Sequence, residues 1–364
     1  MLRQIARLTS VVDASDGACA IAVYADAADR TFPAADLGYE GVACVDDTAR
    51  ALVLLCDVWE ATRLERFRTW AGSLVDFLLY MQQADGRFVN FITDWTGRRN
   101  ESGLTSFAGG GFWQARGVRG LARAALALGD ARARDGFERG LSWIRDLRDA
   151  PADVRAIHVV MGLELLRSGR LPEIRADVER WADEIAAQRL GDVLLDNPDQ
   201  TAPHLWGHQQ EGALAEAGAY LDRPDLVDMA RRSALAYLAP LIESGFDQPT
   251  VQPYGVAAAL YSVDRLAIVT GDPVFDDLRR KARAWFDGRN PARRAVYDRT
   301  AGRVHDGIDG GVLNEHAGAE SNVVGAQALL DEVTRTAPAL LSAIESCFPA
   351  TVRERLLRGP AVPA

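Results

Sequence analysis

Along the whole 364-residue chain, apolar side chains return every three or four positions, and the two-residue alternation of a strand is hard to find. That period restricts the chain to helices. Candidates fall near 12–25, 46–62, 67–83, 112–129, 132–147, 153–169, 173–188, 205–221, 224–243, 254–270, 273–287, 318–334 and 338–356. Short turns such as "LDRPD" and "TGDPV" join many of them in pairs, Asp and Pro stopping one helix and starting the next.

Longer connections alternate with the short ones, near 26–45, 84–111, 189–204, 244–253 and 288–317, rich in Gly, Asn, Asp, Trp and Tyr. Each runs into a helix of small apolar residues, such as "YGVAAALYSVDRLAIV". A helix with so little polar surface must be covered on several sides, which suits an inner ring. The amphipathic helices between them, such as "PVFDDLRRKARAWFDG", suit an outer ring. This is a weak repeat, one helical hairpin per unit, and no unit can bury its apolar face alone. The expected fold is all-α, an (α/α)6 barrel of about six hairpins; an open solenoid is the alternative. No Ser/Gly/Pro-rich linker divides the chain, so residues 1–364 are expected to form a single domain.

Hydrophobic residues make up 48% and charged residues 25%, enough to bury a large core. The net charge of −10, with no basic cluster to offset it, argues against nucleic acid or an anionic membrane as partner. No uncharged stretch approaches a membrane span and no leader-like apolar run opens the chain, so a cytoplasmic location is expected. Cys19, Cys44, Cys56 and Cys347 lack metal-ligand spacing and read as reduced core residues. Lys281 is the only lysine, so Schiff-base chemistry would have to rest on it.

The stretch "NEHAGAES", Asn314 to Ser321, sets Glu315, His316 and Glu320 just before an apolar run. Asp46 and Asp47 in "GYEGVACVDDTAR", Glu101 in "RNESGLTSF", and Trp206, His208, Gln209 and Glu211 in "HLWGHQQEG" occupy the same place in other repeats, as do Gln252 and Tyr254 in "TVQPYG". One carboxylate at a helix N-terminus is accounted for by capping and the helix dipole, at about 0.3–1 kcal/mol. Its recurrence in loop after loop, beside aromatic residues, points to a shared cavity. Paired carboxylates among aromatic platforms are the chemistry of glycoside cleavage: one acid protonates the leaving oxygen, the other activates water or attacks the sugar. Asp47 and Glu320 are the expected pair, with Asp46, Glu211 and Glu315 in reserve. Arg50, one turn into its helix, would hold one carboxylate ionised. Tyr39, Trp95, Trp113, Trp206 and Tyr254 could stack on sugar faces.

His204 and His208 stand four apart, a weak metal signal with no HExxH, cysteine cluster or calcium loop to support it; no metal or cofactor is expected. "VDDTAR" is not a DDxxD motif, because Arg50 stands where the last acid belongs. Nucleophile elbows and phosphate loops are absent as sequence motifs.

"VDDTARAL", "RFVNFITDW" and the closing run from "AWFDGRN" to "NEHAGAESNVVGAQALL" resemble a bacterial α/α-toroid group of the six-hairpin glycosidase superfamily, often encoded beside or fused to sugar glycosyltransferases. The match runs from about residue 38 to 335 and is most specific at Trp285, Asn290, Tyr297, Asp298, Asp306, Gly307, Asn314, Glu315, Gly318, Ala319, Glu320 and Ser321. The resemblance implies an (α/α)6 barrel acting on carbohydrate, with Asp46, Asp47, Glu315 and Glu320 in its pocket. With the candidates above, the expected substrate-binding set is Tyr39, Arg50, Trp113, Trp206, His208, Gln252, Tyr254, Asp306, Asn314 and His316. A glycoside hydrolase acting on an oligosaccharide or glycoside is the first expectation. The alternatives are a sugar epimerase or isomerase with His208 or His316 as base, or a noncatalytic glycan-binding partner of a glycosyltransferase.

Overall fold

A computed structural model of the chain describes residues 1–148 and 150–358. Its α-helices are α1 Leu2–Leu8, α2 Val45–Thr62, α3 Glu65–Met81, α4 Gly111–Ala127, α5 Ala131–Asp146, α6 Ala152–Arg167, α7 Arg175–Ala187, α8 Gln210–Leu221, α9 Pro224–Ser233, α10 Ala239–Glu243, α11 Pro253–Thr270, α12 Pro273–Ala284, α13 Ala319–Ala328, α14 Leu330–Cys347 and α15 Ala350–Arg358. They form two compact units. The first joins Met1–Asp146 to Asp298–His305 and the segment from Glu315 onward; the second is Leu147–Tyr297 with Asp306–Asn314.

In the first unit α2 is the hub, packed against α3, α4, α13 and α14. Ala49, Ala51, Leu52, Leu54, Leu55, Cys56 and Val58 are all fully buried, so the helix is enclosed on nearly every side, as its lack of polar surface requires. Close approach to α4 depends on Gly120, where a Cβ would stand 3.2 Å from the Ala49 Cβ. Outside α4 lies α5, which buries only one stripe, Phe137, Leu141 and Ile144 among it. The second unit repeats the plan: α6, α8 and α11 are packed side by side, and α7, α9 and α12 cover them. Cys19, Cys44 and Cys56 are buried, Cys347 is half-buried, and none of the four is in a disulfide.

Three expectations are corrected. The helix expected over 12–25 is instead an antiparallel hairpin, Thr9–Val11 with Cys19–Ile21, followed by Tyr24–Ala25 paired with Thr31–Phe32. "DASDG" turns the chain, with Gly17 at φ 86°, and α1 precedes it unforeseen. The helix break expected near Pro338 does not occur; α14 runs through that proline, whose ring accepts helical φ at the loss of one hydrogen bond, and the breaks fall at Leu329 and after Cys347. The helix expected from 205 begins only at Gln210, so His204 and His208 lie in the loop before it rather than on one helical face. None of the described helices is long and apolar enough to cross a membrane.

Candidate active site

Within the first unit, the N-terminal ends of α2, α4 and α13 bring an acidic cluster together. Ala43–Cys44 pairs with Phe91–Ile92, delivering an extended chain to α2. Gly41 permits this, because a Cβ there would lie 2.2 Å from the Ile92 carbonyl oxygen. Asn90 accepts from the Val45 N–H at 2.8 Å through its main-chain carbonyl and from the Asp46 N–H at 3.2 Å through its side chain. Cys44 Sγ caps the helix by accepting from the Asp47 N–H at 3.4 Å. Asp46 and Asp47 are therefore fixed in the first turn, at the positive end of the helix dipole.

Glu320 arrives from the other end of the chain. The Ala317 and Ala319 N–H groups donate to Ala25 and Val23, and the buried Asn322 amide clasps Val304 at both its N–H and its carbonyl. Glu320 is thereby placed in the first turn of α13. Arg116, one turn into α4, completes the cluster.

Arg50 ties these groups together. Its guanidinium donates to Asp46 Oδ2 at 3.1 Å, to Asp47 Oδ1 at 3.0 Å and to Glu320 Oε1, while Arg116 donates to the same Asp46 Oδ2. Burial opposes the Asp46 charge, yet Arg116 and Arg50 hold its carboxyl below the usual range. Asp47 goes the other way. Burial outweighs Arg50, the charges of Glu320 and Asp46 add to it, and the Asp47 carboxyl is pushed up to about 7. Neighbouring acids thus carry different protonation states near neutrality. Exposure is graded too, with side-chain values of 27% for Glu320, 16% for Asp46, 11% for Arg50 and 6% for Asp47. One Asp46 oxygen, Oδ1, is buried with no hydrogen-bond partner, an acceptor that asks for an explanation.

Other expected residues of this unit surround the cluster less closely. Tyr39 is exposed and donates from its hydroxyl to the Thr93 carbonyl at 2.6 Å. The Trp113 indole donates to the Phe107 carbonyl at 3.0 Å, and the two rings meet edge to face. His316 is exposed against Phe32, with ring centroids 5.6 Å apart; Glu315 and Glu101 are exposed.

The second unit holds a different constellation. His208 is fully buried, with Nδ1 at 2.6 Å from Asp196 Oδ1 and Nε2 at 2.9 Å from Glu211 Oε1. Ser233 donates to the same Glu211 oxygen at 2.7 Å, and Gln210 donates to Asp196 Oδ1 at 2.7 Å. Burial opposes a charged imidazole, but Glu211 and Asp196 overcome it and raise His208 to about 10. His208 and Glu211, expected to face substrate, are therefore enclosed as an ion pair, because the loop before α8 turns both inward. Trp206 meets Tyr254 edge to face at 6.0 Å, and the Tyr254 hydroxyl donates to Gln252. Gly307–Asp309 pairs with Val312–Asn314, where Asn314 donates to Asp309 at 3.3 Å and Asp306 is half-buried just ahead.

Arg116, Asp153 and Asp196 were not legible as site residues. Arg116 is a charge on a helix of Ala and Gly otherwise suited to burial, and that mismatch is the signal that could have found it. Asp153 and Asp196 are single acids in "PADV" and "LLDNP" and carry no such mark.

The sequence matches no family model and no curated protein. Solved structures do match in shape. A sugar epimerase from a ruminal bacterium is 11% identical with a TM-score of 0.67, over 92% of this chain and 97% of that one. Cellobiose 2-epimerase from Bacillus thermoamylovorans is likewise 11% identical with a TM-score of 0.67, over 92% and 96%. A family 76 glycoside hydrolase from a bovine Bacteroides thetaiotaomicron strain is 11% identical with a TM-score of 0.62, over 90% and 76%. These neighbours are of the six-hairpin glycosidase superfamily, and the fold shared with them is the expected all-α (α/α)6 barrel.

Proposed function

We propose that the chain is a carbohydrate-active enzyme that hydrolyses a glycosidic bond, with Asp47 as the general acid and Glu320 as the catalytic carboxylate. The observation that carries this reading is the divergence within one cluster: Asp47 is raised to about 7, while Asp46 beside it is held ionised. A carboxyl that keeps its proton near neutrality can pass it to a departing glycosidic oxygen. Glu320, the most exposed of the three acids and held by Arg50, takes a proton from the attacking water or itself attacks the anomeric carbon. Tyr39 and Trp113 offer apolar ring faces for a sugar. Release of reducing sugar from a panel of neutral and acidic oligosaccharides, lost in Glu320→Gln, tests the assignment; no turnover across the panel would overturn it.

A second reading, sugar epimerisation, is favoured by the neighbours named as epimerases. In that reading the exposed His316 moves a proton on and off a sugar carbon, since His208 is fully buried with both ring nitrogens engaged. Incorporation of deuterium from heavy water without bond cleavage distinguishes it. A working link to a sugar glycosyltransferase rests on the sequence resemblance alone, and co-purification with such an enzyme is its test.

A further inference from the structure

Asp153, Asp196 and His204 meet in the second unit, and the acid chemistry proposed for the first unit does not use them. Asp153 lies in the first turn of α6, Asp196 follows the paired segment Val193–Leu194, and His204 lies in the loop before α8. One ligand atom from each lies within 4.8 Å of the other two. Both aspartates are buried, at 4% and 1% exposure, and the imidazole is half-buried above them.

The distances are informative. His204 Nε2 stands 3.9 Å from Asp153 Oδ2 and 3.8 Å from Asp196 Oδ2, too far for a hydrogen bond to either. It is aimed between the two oxygens. Nitrogen and oxygen ligands bound to one zinc-like ion at about 2.0–2.2 Å in tetrahedral geometry stand roughly 3.3–3.6 Å apart, so the two distances from the imidazole need contract by only a few tenths of an ångström to share an ion.

Neighbouring groups point the same way. The Asp196 carboxylate is fixed by the His204 N–H at 2.7 Å, by His208 and by Gln210, so its orientation is set before any ion arrives. Gln210 is itself fully buried, with its amide nitrogen on Asp196 and its Oε1 without a partner. That orphan acceptor, attached to the carboxylate of the cluster, can receive a hydrogen bond from an ion-bound water.

We propose that Asp153, Asp196 and His204 form a binding site for a divalent transition-metal ion of the zinc or manganese class. Two carboxylates and one imidazole suit such ions better than calcium or magnesium, which favour all-oxygen shells. Three protein ligands leave at least one position open for water or a sugar hydroxyl, on a cluster whose imidazole lies 6.2 Å from the Trp206 ring. The site stands independently of the hydrolase reading.

The test uses the full chain stripped with a chelator and titrated calorimetrically with zinc chloride and with manganese chloride at pH 7.5. One saturable site per chain is expected for at least one of them, weakened tenfold or more in Asp153→Asn and in His204→Ala and unchanged in Asp199→Asn, an exposed acid of the same loop. Should Asp153→Asn fail to fold, the half-buried His204→Ala decides the matter alone. Binding by the natural chain no tighter than by His204→Ala overturns the proposal, and so does the lack of a saturable site for both zinc and manganese.

Discussion

Arg50 on α2 donates to Glu320 on α13 across 270 residues of sequence, and the same guanidinium holds Asp47 at 3.0 Å. One cation thus sets the positions of both proposed catalytic carboxyl groups. The arrangement also sets their chemistry apart, since Asp47 bears its burial with little exposure while Glu320 opens outward.

Glu320→Gln retains an acceptor for Arg50 and loses the charge. The fold is expected to survive, seen as an unchanged far-ultraviolet circular dichroism spectrum, while turnover falls by about 10²–10⁴-fold. A variant keeping half its rate on a substrate of the natural protein would remove Glu320 from the mechanism.

The proton on Asp47 sets a pH limit. With its carboxyl at about 7, the acid form is present below that value and is lost as pH rises through it, so kcat/KM is expected to fall on the alkaline side of about 7. A rate profile that stays flat from pH 6 to 9 contradicts the assignment.

The same residue carries a stability cost. In the unfolded chain Asp47 ionises near 3.8, whereas in the folded chain it holds its proton to about 7; the folded state is favoured below 3.8 and loses that advantage as pH climbs to 7. Asp47→Asn is therefore expected to be inactive yet more stable at pH 8, by on the order of 1–3 kcal/mol in urea unfolding. Lower stability at pH 8 would show that hydrogen bonding to the ionised form outweighs burial.

His208 shows the opposite dependence on its partners. Its pKa rises from 6.5 unfolded to about 10 folded, so the ion pair contributes fully below 6.5 and its contribution is lost as pH rises through about 10. Glu211→Gln strands a buried imidazolium with one anionic partner, and a loss of about 3–5 kcal/mol is expected at pH 7. Urea midpoints at pH 7 and pH 10 check both statements, and the variant's deficit should shrink at the higher pH.

Much of this molecule is written in its apolar period. The enclosed faces of α2, α8 and α11 follow from Ala-rich runs with few charges, and Asp46, Asp47 and Glu320 could be placed because helix starts are marked in sequence. What escaped detection depends on direction rather than type. Residues before α8 show a histidine and a glutamate three apart, but only the path of the Leu205–Gln209 loop decides that both turn inward. The enclosed α6 lacks the sign that marks the other inner helices, a long preceding loop, because it starts at Ala152 soon after α5 ends at Asp146. At the N-terminus, apolar residues on either side of "DASDG" imitate one helical face, and the turn between them overrides the pattern.

The first unit is assembled from both ends of the chain, and this has a consequence for its birth. At about 5–20 residues per second, a ribosome delivers Glu320 roughly 14–54 s after Arg50. Until then α2 has emerged without α13 and α14, two of the helices that cover it, and presents a bare apolar flank to water or to a chaperone. A stop codon just before α13 would leave a polypeptide lacking both the acid partner and the lid of its central helix, so translation itself withholds the finished acidic cluster until α13 has been made.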